Sequence, residues 1–200
     1  MPTDVADSAS VDALAARVAE VFGDVHVLCN NAGVIGPGRS WETSADEWSR
    51  ILSVNLDGVV NGLRSFVPAM LAHGAPCHVV NTASGAGLFV APSFSAYCVS
   101  KAAVVALSES LAAEIALVPS AQLQVHVLCP GSTTSNLYRT EVARHAHAPA
   151  DPATAQRWAA TSSAERTDQA DPELVVDALW AALASGDLYV LPIQIGRAHV

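Results

Sequence analysis

The sequence has little cysteine and little positive charge. Its four cysteines are scattered without a Cys-x-x-Cys pair, which is typical of free thiols in a reducing cytoplasm. Ten basic against nineteen acidic residues leave a net charge of −9, which disfavours a nucleic-acid partner because phosphate binding needs a basic face. No apolar run approaches the roughly 18–20 residues of a membrane helix, and the N-terminal residues do not follow the signal-peptide pattern. We therefore predict a cytoplasmic protein with no nucleic-acid or membrane partner.

Hydrophobic residues are abundant, at 51% of 200 residues, which is enough for a sizeable core in one domain. Apolar segments alternate between helical and strand periods along the chain. The predicted helices are 8–22, 44–73, 95–118 and 172–185, and the predicted strands are 25–29, 77–83, 124–129 and 188–191. We expect Ser8 or Ser10 to cap the first helix, and residues 132–170 to be polar and irregular. Short, continuous apolar strands between helices predict an α/β fold with a doubly wound, mainly parallel sheet.

Unusual side chains lie in the loops that follow the predicted strands, where parallel α/β sheets bind their ligands. Tyr97 and Lys101 are four residues apart and share one helix face. An ammonium beside a phenol favours the phenolate, so we expect Lys101 to lower the pKa of Tyr97 toward a range useful for proton transfer. Such spacing also arises by chance on any helix. Ser84, thirteen residues before Tyr97, directly follows a strand and can hydrogen-bond the same substrate oxygen.

Asn55 lies inside the predicted second helix, where asparagine is unfavourable because its side chain competes for backbone hydrogen bonds. One interpretation is a tolerated polar residue. The other is a backbone distortion that exposes a carbonyl to water beside the site.

These residues, together with Asn30-Asn31-Ala32-Gly33 and Pro130-Gly131, resemble in order and spacing the motifs of the short-chain dehydrogenase/reductase family, over about residues 2–192. The resemblance implies a Rossmann-like fold and hydride transfer between NAD or NADP and a secondary alcohol or ketone. Tyr97 would be the general acid/base, and Lys101 would hold the nicotinamide ribose. Ser84 would position the reacting oxygen, and Asn55 would anchor a water that connects Lys101 to solvent.

The resemblance also implies a set of cofactor contacts. They are Asp4, Val5, Asn30, Ala32, Gly33, Tyr97, Lys101, Pro130, Gly131, Thr133 and Ser135. Asp4 would contact the adenine, and Thr133 and Ser135 stand where the family often has Val and Thr. Residues 136–170 would form a substrate lid. A homodimer or homotetramer would assemble through the helices 44–73 and 95–118.

We expect no metal site, since His145 and His147 lack further ligands at a usable spacing and fit a solvated loop better. The glycine-rich turn that opens the family's fold has no counterpart here. We therefore expect residues 1–194 to form a domain lacking the first βαβ portion, and 195–200 a non-native tail. The strand at 25–29 would then be an exposed edge. An alternative is a remnant that binds no cofactor. A lyase or dehalogenase is disfavoured by Lys101.

Overall fold

Short apolar strands form the centre of the computed structural model, which describes residues 1–146 and 169–192. Within these ranges the strands are β1 Val27–Asn30, β2 Cys77–Thr82, β3 Leu123–Leu128 and β4 Tyr189–Val190. They pair in parallel in the order β1-β2-β3-β4. The predicted parallel α/β sheet is confirmed, and each predicted strand lies within two residues of its observed position.

Helices cover both faces of the sheet. They are α1 Ser8–Phe22, α2 Ala45–Leu52, α3 Gly58–Ala72, α4 Ser95–Ile115, α5 Leu137–Ala146 and α6 Pro172–Ser185. A π-helical turn, Ser53–Asp57, joins α2 to α3, and a 3₁₀ turn, Gly85–Gly87, follows β2. Helices α3 and α4 pack on one face, where Val79 and Val125 are buried, and α6 packs on the other, against Val80 and Leu128. This alternation of buried faces explains why the strands read as continuous apolar runs.

The ends of the first helix differ partly from expectation. Its cap is Asp7, whose carboxylate accepts a hydrogen bond from the Ala9 amide, so the predicted caps Ser8 and Ser10 are wrong. Aspartate at this position satisfies an otherwise unpaired amide and suits the positive end of the helix dipole. Gly23 ends the helix as predicted, with a φ of +77° that favours glycine.

Residues 132–170 are not irregular throughout, because α5 occupies Leu137–Ala146. The hydrophobic pattern did not predict this helix, because the helix is polar and has no apolar stripe at the helical period. Its buried residue is Glu141, which forms ion pairs with Arg50 and Arg144. A contact with Arg50, 91 residues away, is therefore part of what holds this helix.

Strand β1 lies at one edge of the described sheet and pairs with β2 on one side. Val27 is 46% exposed and Cys29 is also exposed, in agreement with the expected apolar edge. The pair is held in register by polar side chains, because the Asn30 amide donates to the Asn81 side chain at 2.9 Å. No helix in the described ranges is long and apolar enough to span a membrane.

Candidate active site

Tyr97 and Lys101 lie on the first turns of α4, above the carboxyl end of the sheet. Both side chains are buried, with Tyr97 9% and Lys101 4% exposed. The Lys101 Nζ lies 5.9 Å from the centre of the Tyr97 ring and donates a hydrogen bond to the Thr82 carbonyl at 2.8 Å. Thr82 is the last residue of β2, so the lysine joins the helix to the end of the strand.

The acidities of these two groups differ from expectation. Burial raises the pKa of Tyr97, and a hydrogen bond with Ser84 offsets this only in part, while the neighbouring Tyr138 and Cys98 raise it further. Burial lowers the pKa of Lys101 to about 8. The predicted lowering of the Tyr97 pKa by Lys101 is therefore wrong in this structure. The physical reason is that desolvation of the phenolate dominates while the ammonium binds the Thr82 carbonyl.

Ser84 follows β2 and caps the 3₁₀ turn Gly85–Gly87. Its Oγ accepts a hydrogen bond from the Ala86 amide at 3.1 Å, which leaves the hydroxyl proton free to be donated toward Tyr97. The turn packs closely on α4, because a Cβ on Gly87 would lie 2.7 Å from the Lys101 carbonyl oxygen. Glycine at this position therefore lets the turn that carries Ser84 approach the helix that carries Tyr97.

Asn55 lies in the π-helical turn and is fully buried. Its amide donates to the Val34 carbonyl at 2.9 Å and to the Ser100 hydroxyl at 2.9 Å, and its oxygen accepts from the Val34 amide at 2.8 Å. The π-helical turn is the backbone distortion that asparagine at this position predicted; such turns are frequent at functional sites. Asn55 thus joins the loop after β1 to helix α4.

Gly33 lies close to two of these groups, Asn55 and Lys101. A Cβ placed on it would lie 3.4 Å from the Asn55 Oδ1 and 3.5 Å from the Lys101 Nζ. Lys101 also lies beside Tyr97, and Tyr97 hydrogen-bonds with Ser84. The four predicted residues, Asn55, Ser84, Tyr97 and Lys101, therefore form one connected group although they come from separate parts of the sequence.

Some of the predicted cofactor contacts line a cavity of about 180 Å³ beside β1 and α3. Val5, Asn30 and Ala32 are among its lining residues, whereas Asp4 and the catalytic side chains are not. Asp4 is exposed and its carboxylate accepts a hydrogen bond from the Ala6 amide. The cavity thus brings together three of the predicted cofactor contacts, Val5, Asn30 and Ala32, without the predicted aspartate.

The loop after β3 supplies the remaining predicted contacts. The Pro130 carbonyl accepts from the Gly85 amide at 2.8 Å, which holds this loop against the turn after Ser84. Thr133 forms an isolated bridge with Ala170, and its hydroxyl donates to the Gly131 carbonyl at 3.3 Å. Ser135 lies at the start of α5, where its Oγ accepts from the Leu137 amide at 3.4 Å.

Sequence reasoning missed two groups that support the site. Ser100 accepts a hydrogen bond from Asn55 and donates to the Tyr97 carbonyl at 2.7 Å, and Thr82 provides the carbonyl that binds Lys101. The position of Ser100, three residues after Tyr97, was a usable signal because such residues share a helix face. Among the residues whose placement is described, no three His, Cys, Asp or Glu side chains are grouped to hold a metal. His147 and the His145 side chain lie outside that description.

Comparisons with known proteins point to one family. A family model described as short chain dehydrogenase matches residues 1–146. The chain is 34% identical over 189 residues to 1-deoxy-11-beta-hydroxypentalenate dehydrogenase of Streptomyces avermitilis, covering 94% of this chain and 63% of that protein. It is 39% identical over 137 residues to probable oxidoreductase EphD of Mycobacterium tuberculosis, covering 68% of this chain and 23% of that protein. The chain thus spans less than two thirds of either relative.

The fold also matches solved structures. The short chain dehydrogenase/reductase SDR from Burkholderia phymatum in complex with NAD superposes with a TM-score of 0.88 at 35% identity, covering 96% of this chain and 69% of that chain. A short-chain dehydrogenase from Streptomyces avermitilis superposes with a TM-score of 0.77 at 30% identity, over 96% of this chain and 68% of that chain.

Proposed function

This chain belongs to the short chain dehydrogenase family, and we therefore propose that it functions as an NAD(P)-dependent oxidoreductase acting on a secondary alcohol or ketone. The observation that carries the proposal is that Lys101 lies beside Tyr97, which hydrogen-bonds with Ser84, at the carboxyl end of the sheet. Ligands of doubly wound sheets bind at this end. The relatives named as dehydrogenases and the neighbour solved with NAD support the same reaction class.

The residues present fit a nicotinamide cofactor. Gly33 lies beside Lys101, and the Thr82 carbonyl accepts from one of the three N–H donors of that ammonium. The other two donors suit the hydroxyl oxygens of the nicotinamide ribose. Gly33, Lys101 and the loop from Pro130 to Ser135 would hold the ribose and nicotinamide, and Val5, Asn30 and Ala32 would line the adenine side. When bound, the nicotinamide ring supplies or accepts the hydride.

The proton chemistry belongs to Tyr97. Because its pKa is raised, the phenol is protonated at neutral pH and suited to donate its proton to a carbonyl oxygen during reduction. The Ser84 hydroxyl would donate a hydrogen bond to the same oxygen and stabilise the developing negative charge. Lys101, with a pKa of about 8, would return a proton to Tyr97. Asn55 would anchor a water that connects Lys101 to solvent.

The proposed function extends to assembly. The helices formed by residues 44–73 and 95–118 would pair between copies, since Ala102 and Ala106 leave an exposed, small-residue face on α4. Small side chains allow two helices to approach closely. A homodimer or homotetramer is the proposed state.

The decisive experiment compares Tyr97→Phe with Tyr189→Phe. We expect Tyr97→Phe to reduce turnover of cyclohexanone or acetophenone by about 10²–10⁴-fold, the usual contribution of general acid catalysis. Affinity for NADH and NADPH, titrated by cofactor fluorescence, should stay within about twofold because Tyr97 remains a ring of the same shape. Tyr189 is the matched control, since its hydroxyl bonds to Glu109 away from the site.

Two outcomes would contradict the proposal. Undiminished turnover in Tyr97→Phe would remove Tyr97 from the chemistry. Failure of both cofactors to bind in a saturable manner would instead favour the remnant without cofactor. Comparing the two titrations also decides between NAD and NADP.

A further inference from the structure

Four charged side chains join α5 to α2, and we call Glu47, Arg50, Glu141 and Arg144 the α2–α5 ion cluster. Arg50 Nη2 lies 2.7 Å from Glu47 and 2.8 Å from Glu141, and Arg144 Nη2 lies 2.9 Å from Glu47 and 2.5 Å from Glu141. Each carboxylate therefore faces both guanidinium groups. Two positive and two negative charges balance within the cluster.

The cluster is largely removed from water, unlike an ordinary surface ion pair. The Glu141 side chain is 4% exposed, whereas Arg17 and Glu20 on α1, also three residues apart, are 58% and 70% exposed. A carboxylate buried to this degree is costly unless it is paired, and loss of one partner leaves an uncompensated charge. The pKa of Arg50 is raised, because Glu47 and Glu141 outweigh the lowering effect of burial. The cluster is thus a tight attachment.

Arg50 connects the cluster to the loop after β1. Its Nη2 also donates to the Ile35 carbonyl at 3.1 Å. Ile35 follows Val34, which hydrogen-bonds to Asn55 and adjoins Gly33, a residue close to the Lys101 ammonium. Arg50 therefore touches the loop on which the proposed cofactor site depends.

Helix α5 carries a tyrosine that affects the acidity of Tyr97. Tyr138, in its first turn, raises the pKa of Tyr97. Since Glu141 is one turn after Tyr138, the ion pairs of Glu141 also hold the turn that carries Tyr138. Arg50 thus contacts both the loop after β1, at Ile35, and helix α5, at Glu141.

We propose that Arg50 and Glu141 are positioning residues that hold α5 against the loop after β1 and so set the width of the substrate entrance beside Tyr97. The proposal rests on the proposed function for its kinetic consequence. Its structural part, that Glu141 anchors α5, stands on the contacts alone. These residues act through Tyr138 and the loop rather than by contact with substrate.

The test compares Glu141→Gln with Glu20→Gln, which removes the same charge from an exposed pair. We expect Glu141→Gln to raise the KM for cyclohexanone or acetophenone about tenfold, because small displacements at a reacting site have large effects. The KM for NAD(P)H should stay within about twofold, and Glu141→Asp should recover part of the loss. Hydrogen–deuterium exchange should become faster at residues 137–144 in Glu141→Gln. Glu20→Gln should match the unmodified protein in every measurement.

Each outcome decides the matter. An unchanged ketone KM with unchanged exchange would overturn the proposal, and so would equal losses for ketone and cofactor, which indicate general destabilisation. If the unmodified protein neither binds cofactor nor turns over ketone, the proposed function fails, and faster exchange confined to residues 137–144 still supports anchoring by Glu141. Unchanged exchange in that case overturns the anchoring as well.

Discussion

Lys101 illustrates how a single residue can oppose stability. Its pKa of about 8 in the folded protein lies below the ordinary 10.5, so at neutral pH the fold holds a buried, poorly solvated ammonium. A pKa difference of this size corresponds to about 3 kcal/mol of unfolding free energy. Replacing the lysine by an apolar residue would recover this amount and would lose the hydrogen bond to the Thr82 carbonyl, which is worth about 1 kcal/mol.

Lys101→Met should therefore raise the free energy of unfolding at pH 7 by about 2 kcal/mol while abolishing turnover. Between about pH 8 and 10.5 the folded protein binds fewer protons at Lys101 than the unfolded chain, so the unmodified protein gains stability as pH rises through this window. The difference in unfolding free energy between Lys101→Met and the unmodified protein should shrink over the same pH range. Urea titrations at pH 7, 8, 9 and 10 measure both effects, and a less stable variant at pH 7 would contradict the argument.

As pH rises, the rate of ketone reduction should fall when Lys101 loses its proton, which happens at a lower pH than the deprotonation of Tyr97. The phenol keeps its proton well into alkaline solution because its pKa is raised, whereas the lysine loses its proton around pH 8. We expect kcat/KM for reduction to be constant from pH 6 to about 8 and to fall above that. A profile that stays flat to pH 10 would show that the charge of Lys101 is not needed.

At the scale of elements, local signals predicted most of the architecture. Pro172 at the start of α6 and Gly23 after α1 mark ends that the structure reproduces, and Ser44 with Glu47 correctly begins α2. The failures come from long-range contacts. Helix α5 is held by an ion pair with Arg50, and the acidity of Tyr97 depends on burial by the whole fold, neither of which the local sequence encodes.

The candidate site was predictable in its members and not in its connections. Spacing predicted that Tyr97 and Lys101 share a face, and the asparagine within a helix indicated a distortion. The bond from Lys101 to the Thr82 carbonyl could not be inferred, because it depends on how closely α4 approaches the end of β2.

The 3₁₀ turn after β2 allows a test of how stability and turnover depend on the close packing of this turn against α4. Gly87→Ala would place a Cβ 2.7 Å from the Lys101 carbonyl oxygen, so the turn must move away from α4. We expect a loss of about 1–3 kcal/mol in stability and at least a tenfold fall in turnover as Ser84 separates from Tyr97.

Gly85→Ala, in the same turn, is the matched control for this prediction. Its added Cβ would lie 3.5 Å from the Pro130 carbonyl oxygen, an ordinary contact, so stability and turnover should change little. Thermal unfolding and steady-state kinetics on both variants provide the measurement. Equal effects of the two substitutions would mean that packing against α4 is unimportant.

At the scale of the whole molecule, the β1 edge of the described sheet is where we expect copies of this chain to associate. Strand β1 has a partner on one side in the described structure, and its first residue, Val27, is exposed. Unpaired apolar edges promote association through added strand pairing, and a lysine on the edge opposes it.

Val27→Lys should therefore reduce concentration-dependent association of this chain in sedimentation velocity experiments. Val21→Lys is the control, since Val21 on α1 is 47% exposed against 46% for Val27 but lies on no strand. Equal suppression by both substitutions would indicate that added charge, rather than the edge, controls association.

The π-helical turn Ser53–Asp57 has a further consequence for the tolerance of the chain to changes in length. Each residue advances a helix by about 100°, so the extra residue in this turn rotates all of α3 relative to α2. That rotation lets Asn55 face Val34 while Val59 and Phe66 face the sheet. Deleting one residue between 53 and 57 would restore a regular helix and turn the apolar face of α3 away from the core. In this segment residue number is therefore under tighter constraint than residue identity, and insertions or deletions should be more damaging than substitutions at exposed positions.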